Sequence, residues 1–170
     1  KHLTHRENKQ STQINWEEDR VFPLLGQPWH LTLASSGNIQ MTPGEPPIKE
    51  YNPITLTSHQ TEKFVMAWYN RQAITYFNER AEPYAHKLGV PLPPIKLSRA
   101  KTRWGSCNSR GVIHLNWRLI QMPSHLVNYV VAHELSHLIE MNHSPEFWRL
   151  VGSIYPDYLG ARKELKQFGC

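Results

Sequence analysis

The chain has 170 residues, enough for one domain with a core of its own. Hydrophobic residues make up 39% and the formal charge is +5, with no run of five like charges, so a nucleic-acid or phosphate partner is permitted but not demanded. Two cysteines, Cys107 and Cys170, exclude a disulfide framework and make a reducing compartment, the cytoplasm, the default; no apolar run approaches the roughly eighteen residues of a membrane span.

Residues 1–15 are polar and are expected to form a disordered tail or the remnant of a longer chain. Residues 16–170 are expected to form a single domain, with 16–57 as its β-rich part. There, LTLASSGNIQM reads as a hairpin, with residues 31–34 and 39–41 flanking a Ser-Gly-Asn turn. A Pro-rich crossing leads to a helix from Thr57, whose spacing to Gln60 is that of a capping box. Phe64, Ala67, Trp68, Arg71, Ile74, Phe77, Ala81, Tyr84 and Leu88 step by three or four along it as its inner stripe. Pro83 is expected to kink or restart this helix, and Gly89 to end it.

Two strand-like runs then flank GSCNSRG, which has hairpin or loop chemistry. The second run, 112–120, alternates: Ile113, Leu115, Trp117 and Leu119 face one way, His114, Asn116 and Arg118 the other. Ser124 is expected to cap a buried helix, HLVNYVVAHELSHLIEM. Ser144 caps the next, with Pro145 at its first position, and Asp157 caps a last one that stops at Gly169.

Three imidazoles and a carboxylate interrupt the most apolar of these helices. His133 and His137 are four residues apart, so both rings project from one face, one turn apart, and can aim nitrogens at one ion. Zinc fits such neutral nitrogen donors best. Glu134 lies about 100° round the helix, badly placed as a ligand but suited to act as general base on a water. A catalytic zinc needs a third protein ligand. Glu140 shares the helical face, but three ligands along one straight helix cannot close round an ion. His143 lies past EMN, where Asn142 tolerates the left-handed conformation that ends a helix, and is the favoured third ligand. The spacing equals that of H-E-x-x-H-x-x-G-x-x-H, with Glu140 in place of the glycine. Core histidines bonded to backbone, or a structural zinc with Cys107 as fourth ligand, are the alternatives; the latter would exclude catalysis.

The segments TRWGSCNSRGVIHLNWRLIQMPSHLVNYVVAHELSHLIEMNHSPEFW, YPDY and LK resemble the YgjP-like metallopeptidase domain, related to the SprT and WLM groups of zincins. The resemblance is strong over 64–168 and weaker over 21–57. It implies an α+β zincin fold, a small β-sheet packed on helices that include the metal-bearing one. It carries zinc-ligand roles to His133, His137 and His143, one zinc per chain, and the base role to Glu134. Ser106 and Asn116 are motif positions expected to shape the loop and strand near the metal.

Three functions follow. The leading one is peptide-bond hydrolysis by metal-activated water, with Glu134 as base; Arg118, His114, Tyr155 and Tyr158 are candidate oxyanion donors by type, and the edge of strand 112–120 is a candidate for pairing with an extended substrate. The second is hydrolysis of a nucleoside triphosphate such as UTP, with Arg99, Lys101, Arg103 and Arg110 supplying the cations. The third is a DNA-associated module with an SprT-like protease role, supported by mild basicity alone. Six tryptophans, Trp68, Trp104, Trp117 and Trp148 among them, are expected in the core, and Cys107 is expected to be structural rather than a nucleophile.

Overall fold

The computed structural model describes residues 13–47 and 54–169. Most of the expected tail, the middle of the Pro-rich crossing and Cys170 lie outside them. The fold is α+β: two small sheets and four helices round one core. Strands β1 (Trp29–Leu33) and β2 (Ile39–Pro43) form the expected hairpin, Leu33 opposite Ile39. It rests on the long helix α1 (Ser58–Leu88) through Trp29, whose ring lies 5.3 Å from that of Trp68.

Helix α1 begins at the expected capping box, in which Thr57 and Gln60 exchange side-chain and backbone bonds of 3.0 and 3.1 Å. It ends at Gly89, whose φ of 71° only glycine adopts cheaply. Two expectations need correcting. The helix runs through Pro83 without restarting, because the burial of Ala81, Tyr84 and Ala85 beside it outweighs a local cost of about 3 kcal/mol. The buried face is also wider than the expected stripe: Trp68, Phe77, Ala81 and Tyr84 are buried and Phe64, Ile74 and Leu88 pack on the core, but Val65, Tyr69, Ala73 and Ala85 join them, and Ala67 and Arg71 are exposed. Segments 95–98, 117–121, 124–136 and 145–154 all pack on α1, so no one stripe describes it.

The second sheet has the order β3-β5-β4. Strand β3 (Ile95–Ser98) runs parallel to β5 (Ile113–Asn116), and β4 (Gly105–Cys107) runs antiparallel to it. The expected hairpin is present, but GSC belongs to its first strand rather than to its turn, which is made by 108–112. Strand β5 stops at Asn116, and 117–121 wind into a 3-10 helix (Trp117–Gln121), so the expected alternation ends there. Asn116, fully buried, makes the change of direction. Its Oδ1 accepts from the Arg118 N–H at 3.1 Å, and its Nδ2 donates to the carbonyls of Ala100 and Arg103 at 2.7 and 3.2 Å. Asn116→Ala removes the side-chain partner of the Arg118 N–H and the Arg103 carbonyl, while the Ala100 carbonyl keeps the Arg118 guanidinium at 3.3 Å. It should destabilise the protein by about 3 kcal/mol in a denaturant titration; a change below about 1 kcal/mol would mean that water replaces the amide.

Helix α2 (Ser124–Ser136) packs across α1 and β4. Pro123, with no side-chain bond, occupies its cap position, so Ser124 is its first residue rather than its cap. Helix α3 (Pro145–Ile154) starts as expected, Ser144 Oγ accepting from the Phe147 N–H at 3.3 Å. Helix α4 (Tyr158–Leu165) follows Asp157, whose side chain makes no cap bond, and a last 3-10 turn (Lys166–Phe168) ends at Gly169. The Trp104 indole N–H donates to the Gly169 carbonyl at 3.2 Å, tying the end of the chain to the start of β4.

Candidate metal centre

Helix α2 delivers Tyr129, His133 and Glu134. At its end the backbone tightens: Leu138 N–H bonds Leu135 O at 3.0 Å and Ile139 N–H bonds Ser136 O at 3.1 Å, both three residues back. This tightening reverses the chain towards His143. Asn142 does not: Leu25, at φ 50°, is the one non-glycine among the described residues with positive φ, and the expected left-handed Asn142 is corrected on that ground.

The rings of His133, His137 and His143 lie 4.8 to 5.3 Å apart between centroids, and one nitrogen of each lies within 4.8 Å of the others. They are the one such cluster among the described residues; neither Glu140 nor Cys107 belongs to it. The Nε2 atoms of His133 and His143 face each other at 3.3 Å. Two imidazole nitrogens turned on one another need a proton or a cation between them. A tetrahedral ion with bonds of about 2.05 Å holds its ligands about 3.3 Å apart. The other ring nitrogens are directed away. His137 Nδ1–H donates to the Glu140 carbonyl at 3.1 Å, and His133 Nδ1–H to the Tyr129 hydroxyl at 3.4 Å, which leaves each Nε2 lone pair for an ion.

The electrostatics suit ligands. Burial first, then His137, His143 and Arg162, holds His133 neutral, with a pKa down at about 3. Burial likewise lowers His137. Neutral imidazole is the form that binds metal. The donor set therefore fits a divalent ion such as zinc. Tyr129→Phe removes the partner of His133 Nδ1 and should weaken zinc affinity about tenfold in a chelator competition, with little change in thermal midpoint.

Helix α3 holds the rings in place. Phe147 stacks on His137 at 4.3 Å, and Trp148 lies parallel to His143 at 6.0 Å. The Ser144 cap sets where α3 starts and so aims both aromatics, which accounts for NHSPEFW as a unit.

Glu134 is 6% exposed, with Oε1 at 4.0 Å from His133 Nε2. This is no ion pair, since His133 is neutral. Burial pushes the Glu134 carboxyl up to about 7, against the pull of Arg103. Over it lies Gly105: a Cβ there would meet Glu134 Cγ at 2.9 Å and Oε1 at 3.1 Å. Spacing around HELSH does not reveal Gly105; its place in RWGSC is the one signal.

Of the four candidate oxyanion donors, three point elsewhere. The Arg118 guanidinium lies over Trp104 at 4.9 Å and bonds the Ala100 carbonyl at 3.3 Å. His114 alternates with the buried Ile113 and Leu115, so it leaves the opposite face of the sheet from Gly105. Tyr155 donates its hydroxyl to the His125 carbonyl at 2.9 Å. Tyr158 stacks on Trp148 at 5.5 Å, beside the histidines. Burial, then Glu134, pushes the Cys107 thiol up, away from the reactive thiolate. Trp68 and Trp104 are core, while Trp117 and Trp148 are half-buried.

The sequence profile of the YgjP-like, metallopeptidase domain matches residues 1–168. No curated protein matches the chain. Among solved structures, the metallopeptidase zymogen of Pyrococcus abyssi abylysin is 22% identical, covers 52% of this chain and 90% of its own, and superposes with a TM-score of 0.49. The metallopeptidase zymogen of Methanocaldococcus jannaschii jannalysin is 16% identical, covers 54% and 94%, and gives 0.48.

Proposed function

Because the chain belongs to the YgjP-like, metallopeptidase domain family, we propose that it is a zinc-dependent peptidase. In this reading His133, His137 and His143 hold one zinc, and Glu134 is the general base. The convergence of three imidazoles beside one buried carboxylate carries this reading. Bound there, zinc supplies Lewis acidity, which makes water reactive near neutral pH and polarises the scissile carbonyl. Glu134 takes the proton from the attacking water and passes it to the leaving amine. Its burial raises its basicity for this task. Tyr158 is the candidate oxyanion donor that stays beside the cluster.

The substrate-pairing edge moves from the expected strand. Strand β5 is central, with both edges paired, whereas β4 has one free edge. Asn116 N–H bonds Trp104 O at 2.8 Å and Asn108 N–H bonds Val112 O at 3.1 Å. The antiparallel alternation then turns the backbone groups of Ser106 towards β5 and those of Gly105 and Cys107 outwards. In our proposal an extended peptide pairs with Gly105 and Cys107, which sets its carbonyl beside Glu134.

The proposal also includes a single domain over 16–170, supported by one core that Trp16 and Phe168 both join, and a cytoplasmic setting, supported by the free thiol of Cys107. No helix among the described residues is long and apolar enough to cross a membrane. The UTP and DNA readings draw no support from the site: Arg99, Lys101, Arg103 and Arg110 are all exposed, and of them Arg103 alone acts on Glu134.

The deciding experiment incubates zinc-loaded protein with unfolded casein and, in parallel, with UTP. Casein cleavage that stops with chelator and returns with zinc is expected, with UTP untouched. UTP turnover without casein cleavage would move the function to phosphoanhydride hydrolysis. Silence towards both, with one zinc bound per chain, would overturn a general peptidase.

A further inference from the structure

No carboxylate among the described residues forms an ion pair with Arg162 or with Arg103. Arg162, exposed on α4, lays its guanidinium over the Trp148 ring at 4.7 Å, and Trp148 lies against both His133 and His143. Arg103, also exposed, comes two residues before Gly105, which abuts Glu134.

The direction of β4 sets where the two arginines stand. Gly105 lies opposite Glu134, and further on a Cβ at Gly111 would sit 3.5 Å from Leu138. The strand therefore runs along α2 towards the helix end, where residues 107–111 and His137, Leu138, Ile139 and Met141 line a groove of roughly 440 Å³. Arg103 is at the other end. Arg162 belongs there too, because α4 packs on the first half of α2, with His125 Nε2 and Glu164 Oε2 2.8 Å apart. A peptide antiparallel to β4 lays its N-terminal part over the groove. Its C-terminal part leaves past Arg103 and Arg162.

We propose that Arg162 and Arg103 form a carboxylate-binding subsite on the C-terminal side of the scissile bond, so that the site prefers peptides with an anionic group in the first residues after the cut. This rests on the peptidase reading. A guanidinium suits the task because its fixed fork of N–H donors matches a carboxylate, and the Trp148 face holds the Arg162 fork flat. The carboxylate has two sources, an Asp or Glu side chain or the free C-terminus of a short peptide. Arg110, in the hairpin loop, lines the opposite end of the groove, so an acidic preference before the cut would belong to it instead.

The test offers zinc-loaded protein two peptide pools of identical sequence, one with free and one with amidated C-termini, and maps the cut sites by mass spectrometry. Asp and Glu are expected to be enriched roughly fivefold over Asn and Gln just after the cut, the size of one partly exposed ion pair. Enrichment in both pools assigns the side chain. Cutting confined to the last residues of the free pool assigns the C-terminus. Arg162→Glu should shift the preference to Lys and Arg, a gain that misfolding cannot produce. A second readout needs no turnover: in calorimetry on the metal-free protein, an acidic peptide should bind roughly fivefold tighter than its amide counterpart, and Arg162→Gln with Arg103→Gln should level the two. Cutting without acidic bias, or a bias that survives both Gln substitutions, overturns the subsite and leaves the peptidase standing. No cutting of either pool with zinc bound overturns both.

Discussion

Glu134→Gln is expected to lower kcat/KM for casein-derived peptides at least about 10³-fold while one zinc still binds per chain. The amide keeps the shape of the carboxylate but cannot accept the proton, and the three histidines are untouched. Zinc content by elemental analysis separates this outcome from loss of the site. A mutant that keeps full activity would remove Glu134 from the base role. Stability offers an independent check in the metal-free chain. Burial lifts the Glu134 carboxyl from 4.5 to about 7. Between those values the unfolded chain releases its proton and the folded chain keeps it, so the contribution of Glu134 falls as pH rises through that window, while that of His133, whose pKa burial lowers, rises. Glu134→Gln should therefore make stability rise more steeply with pH across this window and leave the protein no less stable at pH 7. Thermal midpoints across the window, for both proteins with chelator present, read it directly.

Gly105→Val is expected to cost about 10²-fold or more in the same assay, with zinc still bound. Gly105 has no positive φ, so its backbone tolerates a side chain; the obstruction is Glu134 itself. A first carbon at 2.9 Å from Glu134 Cγ forces the carboxylate aside or lifts β4 from α2. Either movement separates the base from the peptide that β4 is proposed to hold. Gly105→Ala should fall between wild type and valine. Ser106→Val, one position along and facing the other side of the sheet, should lose far less. Equal losses at the two positions would mean that general damage to β4, rather than contact with Glu134, is responsible.

These cases mark what is legible in a chain and what is not. The H-E-L-S-H spacing, the Thr57–Gln60 box, the Ser144 cap and the β1–β2 hairpin all depend on residues within a few positions of each other. Helical and extended geometry convert such separations into distances almost without regard to the rest of the molecule. The convergence of His143 on His133 was within reach for the same reason, ten residues being enough for one turn. Even there, the device that makes the turn, a tightened helix end in place of a left-handed Asn142, follows from how Leu138 and Glu140 sit in the fold.

By itself, then, the sequence determined the helices, the Thr57 and Ser144 caps, the one histidine cluster among the described residues and the α+β class. Tertiary structure decided that GSC is a strand, that β5 is central, that Asn116 ends it, that α1 passes through Pro83, and that Gly105 lies on Glu134 with Arg162 beside Trp148. Most of those join residues from different elements, Gly105 to Glu134 across 29 positions and Arg162 to Trp148 across 14. Periodicity and propensity specify the direction of a side chain within its own element. The neighbour it meets is set by the packing of whole elements, where volume and burial override local preference.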